Sequence, residues 1–340
     1  MWGLLAGAML SLAQAKTTYS NALSVEEQQQ FLYYFYEAQR LLQKQDIPTA
    51  WELVQFCHEL NPNDATINNY MGVFLCSFDR SDEALPYLQR AFELQPNEYW
   101  YDYAVYLLRC NDKKLEKIAI RNLETVARNN PKNEEVHTLL QKAYIHYNND
   151  YKRALLVQNR LDSILGYNAM SAMQRYQLNV MDNNPKRAIY EVERYLDEEP
   201  NDMQFQLFRM QLYEQTNQPS KKLIKAYHAV LPYQPRNWVL LNNLAWHLCI
   251  TKQDLKQAEQ LSRATIMAQP NNPIYLDTYA WILFQLGQYN DALFYIQQAI
   301  DNIDIKTKNI DLEAETNDLD PETYKEIQHH YKAILKKAKK

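Results

Sequence analysis

The sequence predicts an all-α protein, an α-solenoid of about eight helical hairpins closed by a C-terminal capping helix. Three observations carry this. Ala50, Ala84, Ala119, Ala154, Ala188, Ala258 and Ala292 fall on one ladder with steps of 34 or 35 residues, once Leu223 is counted as the rung between Ala188 and Ala258. Twelve residues past the rungs from Ala50 to Ala258 stand Pro62, Pro96, Pro131, Gly166, Pro200, Pro235 and Pro270. Each would stop a helix, since proline cannot continue one and glycine favours its C-terminal cap. Finally, only five glycines occur, and alternating strand-like runs are missing. A repeat near 34 residues in a helical chain signals stacked hairpins that share a continuous core.

The hairpin is clearest from Leu276 to Ile300. Leu276, Tyr279, Ala280 and Leu283 share one helical face, and Ala292, Ile296 and Ala299 share another across the turn Leu286-Gly287-Gln288-Tyr289. Small Ala280 and Ala292 allow two backbones to approach while the aliphatic groups fill the gap. One such hairpin cannot bury its apolar face alone, so it requires neighbours.

These residues resemble the tetratricopeptide repeat family. The last repeat matches its apolar and small positions with Leu276, Tyr279, Ala280, Leu283, Ala292, Ile296 and Ala299, but carries Asp304 where the family has proline. The second matches with Met71, Gly72, Leu75, Ala84, Leu88, Ala91 and Pro96. The middle departs, because Gln141, Tyr176 and Met210 occupy a small position, and looser or differently angled packing is expected there. The closing NNLAWHL…AEQLSRATIMAQPNN…LDTYAWILF run resembles exported bacterial tetratricopeptide proteins. The resemblance implies a right-handed superhelix over residues 24–302, with repeats near 31–62, 65–96, 97–131, 134–166, 168–200, 202–235, 238–270 and 273–304. No Pro- or Ser-rich break divides them, so a single superhelix is expected.

At the start, Trp2–Leu12 is apolar and Leu12-Ala13-Gln14-Ala15 ends in a small-x-small cleavage pattern. Residues 1–15 therefore read as a signal peptide, although no basic residue precedes the apolar run. Export to a periplasmic or extracellular location follows as an expectation. The run falls short of the ~20 residues a spanning helix needs, so no transmembrane segment is expected. Residues 16–23 form a polar lead, and Ser24-x-x-Glu27 is a capping box opening a long first helix.

Beyond Asn302, residues 305–319 read as a charged, solvated spacer. Asp320-Pro321-Glu322 then opens a last helix over residues 320–340, with Asp320 as N-cap and Pro321 in the first turn. Its apolar side is Tyr324, Ile327, Tyr331, Ile334 and Leu335, and Lys336, Lys337, Lys339 and Lys340 crowd its end. A cap with its polar side outward is the favoured reading; a basic helix for membranes or acidic partners is the alternative.

Chemistry is lacking. Past the leader only Gly72, Gly166 and Gly287 remain, which rules out glycine-rich phosphate loops and the nucleophile elbow. The seven histidines form no H-E-x-x-H, and the adjacent His329 and His330 are expected to be solvated. Cys57, Cys76, Cys110 and Cys249 lie in helical patterns without a C-x-x-C, so they read as small hydrophobes, with no metal and no cofactor expected. Net charge −5 and pI near 5.9 argue against nucleic acid.

A non-catalytic interaction scaffold is the expectation, its partner an unidentified protein or peptide. The alternatives are a glycan or small-molecule receptor, suggested by 26 tyrosines, and a structural component of the cell envelope. In the family, one stripe of each first helix faces the inner groove. The resemblance thus places Val239, Asn242, Trp246 and Cys249 there from one repeat, and Ile274, Asp277, Trp281 and Phe284 from the next. Asn242, Trp246, Asp277, Trp281 and Phe284 are the candidate groove residues, suited to an extended peptide anchored on stacked indoles. Asp277 disfavours the family's basic clamp for a peptide carboxylate. The alternative is that both tryptophans are core beneath the final helix.

Overall fold

The computed structural model describes residues 23–308 and 321–339, with side chains from 23 to 303 and from 321 to 339. The leader, nearly all of the polar lead, most of the spacer and the Asp320 cap lie outside the described residues. The described secondary structure is helical throughout. The chain divides into two compact units, Met1–Asp182 and Asn183–Lys340, a division that no Pro- or Ser-rich stretch announces.

In the first unit the helices are α1 (Val25–Gln43), α2 (Ile47–Leu60), α3 (Ala65–Ser77), α4 (Ser81–Leu94), α5 (Trp100–Arg109), α6 (Lys113–Asn129), α7 (Glu134–Ala143), α8 (Tyr151–Leu165) and α9 (Ala169–Met181). The second contains α10 (Pro185–Glu198), α11 (Met203–Gln215), α12 (Ser220–Val230), α13 (Trp238–Thr251), α14 (Leu255–Ala268), α15 (Pro273–Gln285), α16 (Tyr289–Lys308) and α17 (Pro321–Ala338). Within each unit, neighbours in sequence pack as antiparallel pairs, as in α3 with α4 and α15 with α16.

The ladder is the buried seam. All seven alanine rungs are 0% exposed, and Leu223 is also buried. Gly72 shows why the seam needs small residues, since a Cβ there would lie 2.4 Å from Leu88 Cγ. The helix stops act as expected: α2, α4, α6, α10 and α14 each end within two residues of their proline, α8 ends immediately before Gly166, and Pro235 follows α12 after a longer turn. The Ser24 box forms in both directions, Glu27 N–H donating to Ser24 Oγ at 3.2 Å and Ser24 N–H to Glu27 Oε2 at 2.8 Å.

The turns explain how so few glycines suffice. Gln45, Asp79, Asn111, Asn149, Asn183, Asn217, Lys252 and Gly287 all have φ between 49° and 82°, one in each interhelical turn of the repeat. Asparagine and aspartate tolerate this left-handed region better than other residues with a Cβ. Gln45 and Lys252 occupy it without that advantage.

In the fourth repeat a polar network replaces small-residue packing. Gln141, buried at the small position, donates from Nε2 to Ala154 O at 3.3 Å and Gln158 Oε1 at 2.7 Å. Gln158 donates in turn to Asp162 Oδ1 at 2.7 Å, and Asp162 receives Arg175 Nε at 2.8 Å. After Ala143 the helix loosens into one π turn, Tyr144–Asn148.

Two expectations are corrected. With Asp304 in place of proline nothing halts the last hairpin, and α16 runs on to Lys308, so residues 305–308 are helical rather than spacer. His330 is buried, not solvated, while its neighbour His329 is exposed.

Candidate partner-binding groove

The candidate groove lies in the second unit, on the faces of α13 and α15 turned away from their hairpin partners. Asn237 caps α13 through Leu240 N–H at 3.1 Å, and Asn272 caps α15, which opens on Pro273. These caps start the two first helices. On α15 the face Leu276, Tyr279, Ala280 and Leu283 packs with Ala292, Ile296 and Ala299 of α16. That leaves Ile274, Asp277, Trp281 and Phe284, spaced by helical turns, on another face.

The occupant is the chain's own last helix. α17 packs against α16 and α15 and buries Ile327, His330 and Ile334, with Tyr324 and Tyr331 partly covered beside them. His330 stacks on Trp281 with ring centroids 4.1 Å apart and planes at 22°, and lies 5.8 Å from Trp246. Its Nδ1 is 2.9 Å and 3.0 Å from the two carboxylate oxygens of Asp277. A carboxylate can only accept here, so Nδ1 carries the proton and donates. Trp281 stacks in turn on Phe284 at 4.9 Å.

Trp246, Asp277 and Trp281 therefore do come together, around one imidazole, with Phe284 stacked behind. Trp246, Trp281 and Phe284 are half-buried, while Asn242 and Asp277 are 5% and 7% exposed. Asn242 lies one turn before Trp246, and its buried Oδ1 accepts no hydrogen bond. Cys249 is fully buried, and burial pushes its thiol up to about 12. Val239 and Ile274 remain exposed. His330 is the member that sequence reasoning missed. The signal was available: His330 stands three and four residues from Ile327 and Ile334, on the apolar stripe of an amphipathic helix.

No group of three or more histidine, cysteine or acidic side chains among the described residues is placed to hold a metal ion. All four cysteines are free. No described helix is long and apolar enough to cross a membrane.

No protein-family model matches the sequence, and no curated protein does either. Solved structures do match in fold. The Naa15/Naa10 assembly bound to HypK-THB aligns with a TM-score of 0.58 at 12% identity, over 88% of this chain and 46% of that one. A tetratricopeptide repeat protein from Parabacteroides merdae aligns with a TM-score of 0.41 at 12% identity, over 90% and 99% of the two chains. Yeast Tom70 gives 0.35 at 14% identity, over 98% and 70%. The first of these likenesses shows a shared helical-repeat fold. It agrees with the buried alanine ladder and the paired helices, which make the chain an all-α protein of stacked helical hairpins.

Proposed function

We propose that the protein is a non-catalytic scaffold that binds partner polypeptides on the first-helix faces of its repeats. The observation supporting this most strongly is α17 itself. A helix of 18 residues lies across α15 with its imidazole bonded to Asp277 and stacked on Trp281, so this surface has the shape and chemistry to hold an amphipathic helix. The groove residues Asn242, Trp246, Asp277, Trp281 and Phe284 are then a helix-receiving site filled in cis. An outside partner would use them by exchanging with α17. The reading shifts the expected ligand from an extended peptide to a helix, because a histidine and two isoleucines on one helical stripe fill the space.

Affinity capture with the full chain tests this. His330→Ala removes the internal anchor and should increase recovery of a saturable partner several-fold over the wild type, whereas Trp246→Ala/Trp281→Ala should abolish it. Equal recovery by all three proteins would remove the groove from the account. The export reading rests on residues 1–15 alone, and the mass of the mature N-terminus decides it; an intact Met1 would end it.

A further inference from the structure

The first unit has a comparable first-helix face that no segment of the described chain fills. Between α3, α4 and α5 lies a cavity of about 290 Å³, lined among others by Cys76, Asp82, Asp102, Tyr106, Arg109 and Cys110. That volume is at the low end for small-molecule pockets and suits one large side chain. Asp102 sits in it with its Oδ2 accepting 2.9 Å from Asn69 Nδ2 of the preceding first helix. Burial raises the Asp102 carboxyl above the usual range, and the hydrogen bond from Asn69 works against that shift. Arg109 lines the same cavity. On the same face Asn69, 7% exposed, keeps a buried Oδ1 that receives no donor. Burial pushes the half-buried Asp102 carboxyl towards its neutral form, and an N–H-bearing cation placed beside it would favour the charged one.

In the second unit His330 meets the aspartate of the corresponding pair, while the amide oxygen of Asn242 stays without a donor there too. An asparagine on one first helix, Asn242, is again followed by an aspartate on the next, Asp277, and a basic side chain from a helix closes on the carboxylate. We propose that the cavity of the first unit docks a lysine, arginine or histidine presented by an amphipathic helix of a partner protein, with Asp102 as its acceptor. This rests on the scaffold reading and names the partner chemistry at a second site. The acidic balance of the chain, net charge −5, favours the approach of a basic helix.

The test uses the full chain and, as probe, a fluorescein-labelled peptide of the α17 sequence, Pro321–Lys339, followed by anisotropy. Saturable binding is expected, weakened at least tenfold by Asp102→Asn in the protein and by replacing the peptide's histidines with alanine. A second route leaves the acceptor intact. Cys110 is exposed at the cavity, so N-ethylmaleimide should block the peptide on the wild type and not on Cys110→Ser. Absence of binding would overturn the proposal. Binding that ignores both Asp102→Asn and the Cys110 block would also overturn it, placing the peptide by exchange in the second unit and leaving the scaffold reading standing.

Discussion

His330 and Asp277, 53 residues apart, meet through Nδ1 at 2.9 Å and 3.0 Å from the two carboxylate oxygens, both side chains nearly dry. Each satisfies a group that the other would leave stranded. Asp277→Asn and His330→Gln should each cost stability, and the double variant should cost less than the sum. The coupling expected for a buried hydrogen bond with a charged partner is about 1.5–3 kcal/mol. Thermal unfolding of the four proteins gives the cycle, and additive losses would mean the two residues do not interact.

The alanine ladder makes an overpacking prediction. Ala280 is 0% exposed between α15 and α16, so Ala280→Leu should cost roughly 1–3 kcal/mol. From the sequence, the equivalent change at Gln141 is expected to be milder, since that repeat already holds a large side chain. The hydrogen bonds to Ala154 and Gln158 remove that difference. Gln141→Leu strands a buried acceptor and should cost about 1–3 kcal/mol as well. Urea titrations of both variants compare them.

The turn residues give a stabilising change. Lys252 is exposed with φ 53°, a conformation that costs an L-residue about 1 kcal/mol. Lys252→Gly should raise the melting temperature by a few degrees, discounted for the extra entropy glycine brings to the unfolded chain. Gly287→Ala, at φ 82° with open space around its Cβ, should lower it for the converse reason. A loss at Lys252→Gly would show that its side chain does something the turn geometry does not reveal.

Burial holds the imidazoles of His58, His137 and His247 below the usual histidine range. Their folded pKa values are depressed, so the unfolded chain binds more protons as pH falls through about 6.5, and stability drops there. Melting temperature should therefore decline from about pH 7.5 to 5.5, and His247→Asn should flatten the decline. Asp64 and Asp102, whose carboxyls are raised by burial, oppose the trend only lower, in the carboxylate range. A profile that rises on acidification to pH 5.5 would contradict the assignment.

How much of this could be read from the sequence depends on whether a feature repeats. The rungs Ala50 to Ala292 and the stops Pro62 to Pro270 recur every 34 or 35 residues, so the pattern identifies them without tertiary information. The family register puts Trp246, Asp277 and Trp281 on one stripe of adjacent first helices, and in the structure the three lie around His330. The sequence favours a last helix that caps the last repeat, with tryptophans beneath it as the alternative. Its contact with Asp277 through His330 is not legible there, because α17 stands outside the repeat. A pair of adjacent histidines looks solvated until one is seen to lie on the stripe of Ile327 and Ile334. The polar network of Gln141, Gln158, Asp162 and Arg175 was hidden for another reason: its members lie on three helices, and only the folded chain shows that they bond to one another. The left-handed turns were missed because asparagine, aspartate, glutamine and lysine all fill one backbone role there.

The central claim is that the first-helix face of the second unit is a helix-binding surface filled by α17. Hydrogen–deuterium exchange on the full chain, wild type against His330→Ala, tests it most directly. The account predicts that amides of 321–338 are protected in the wild type, and that in the variant they lose protection together with those around Asp277 and Trp281 while the α15–α16 hairpin core stays protected. Complete exchange of 321–338 within seconds in the wild type would contradict it.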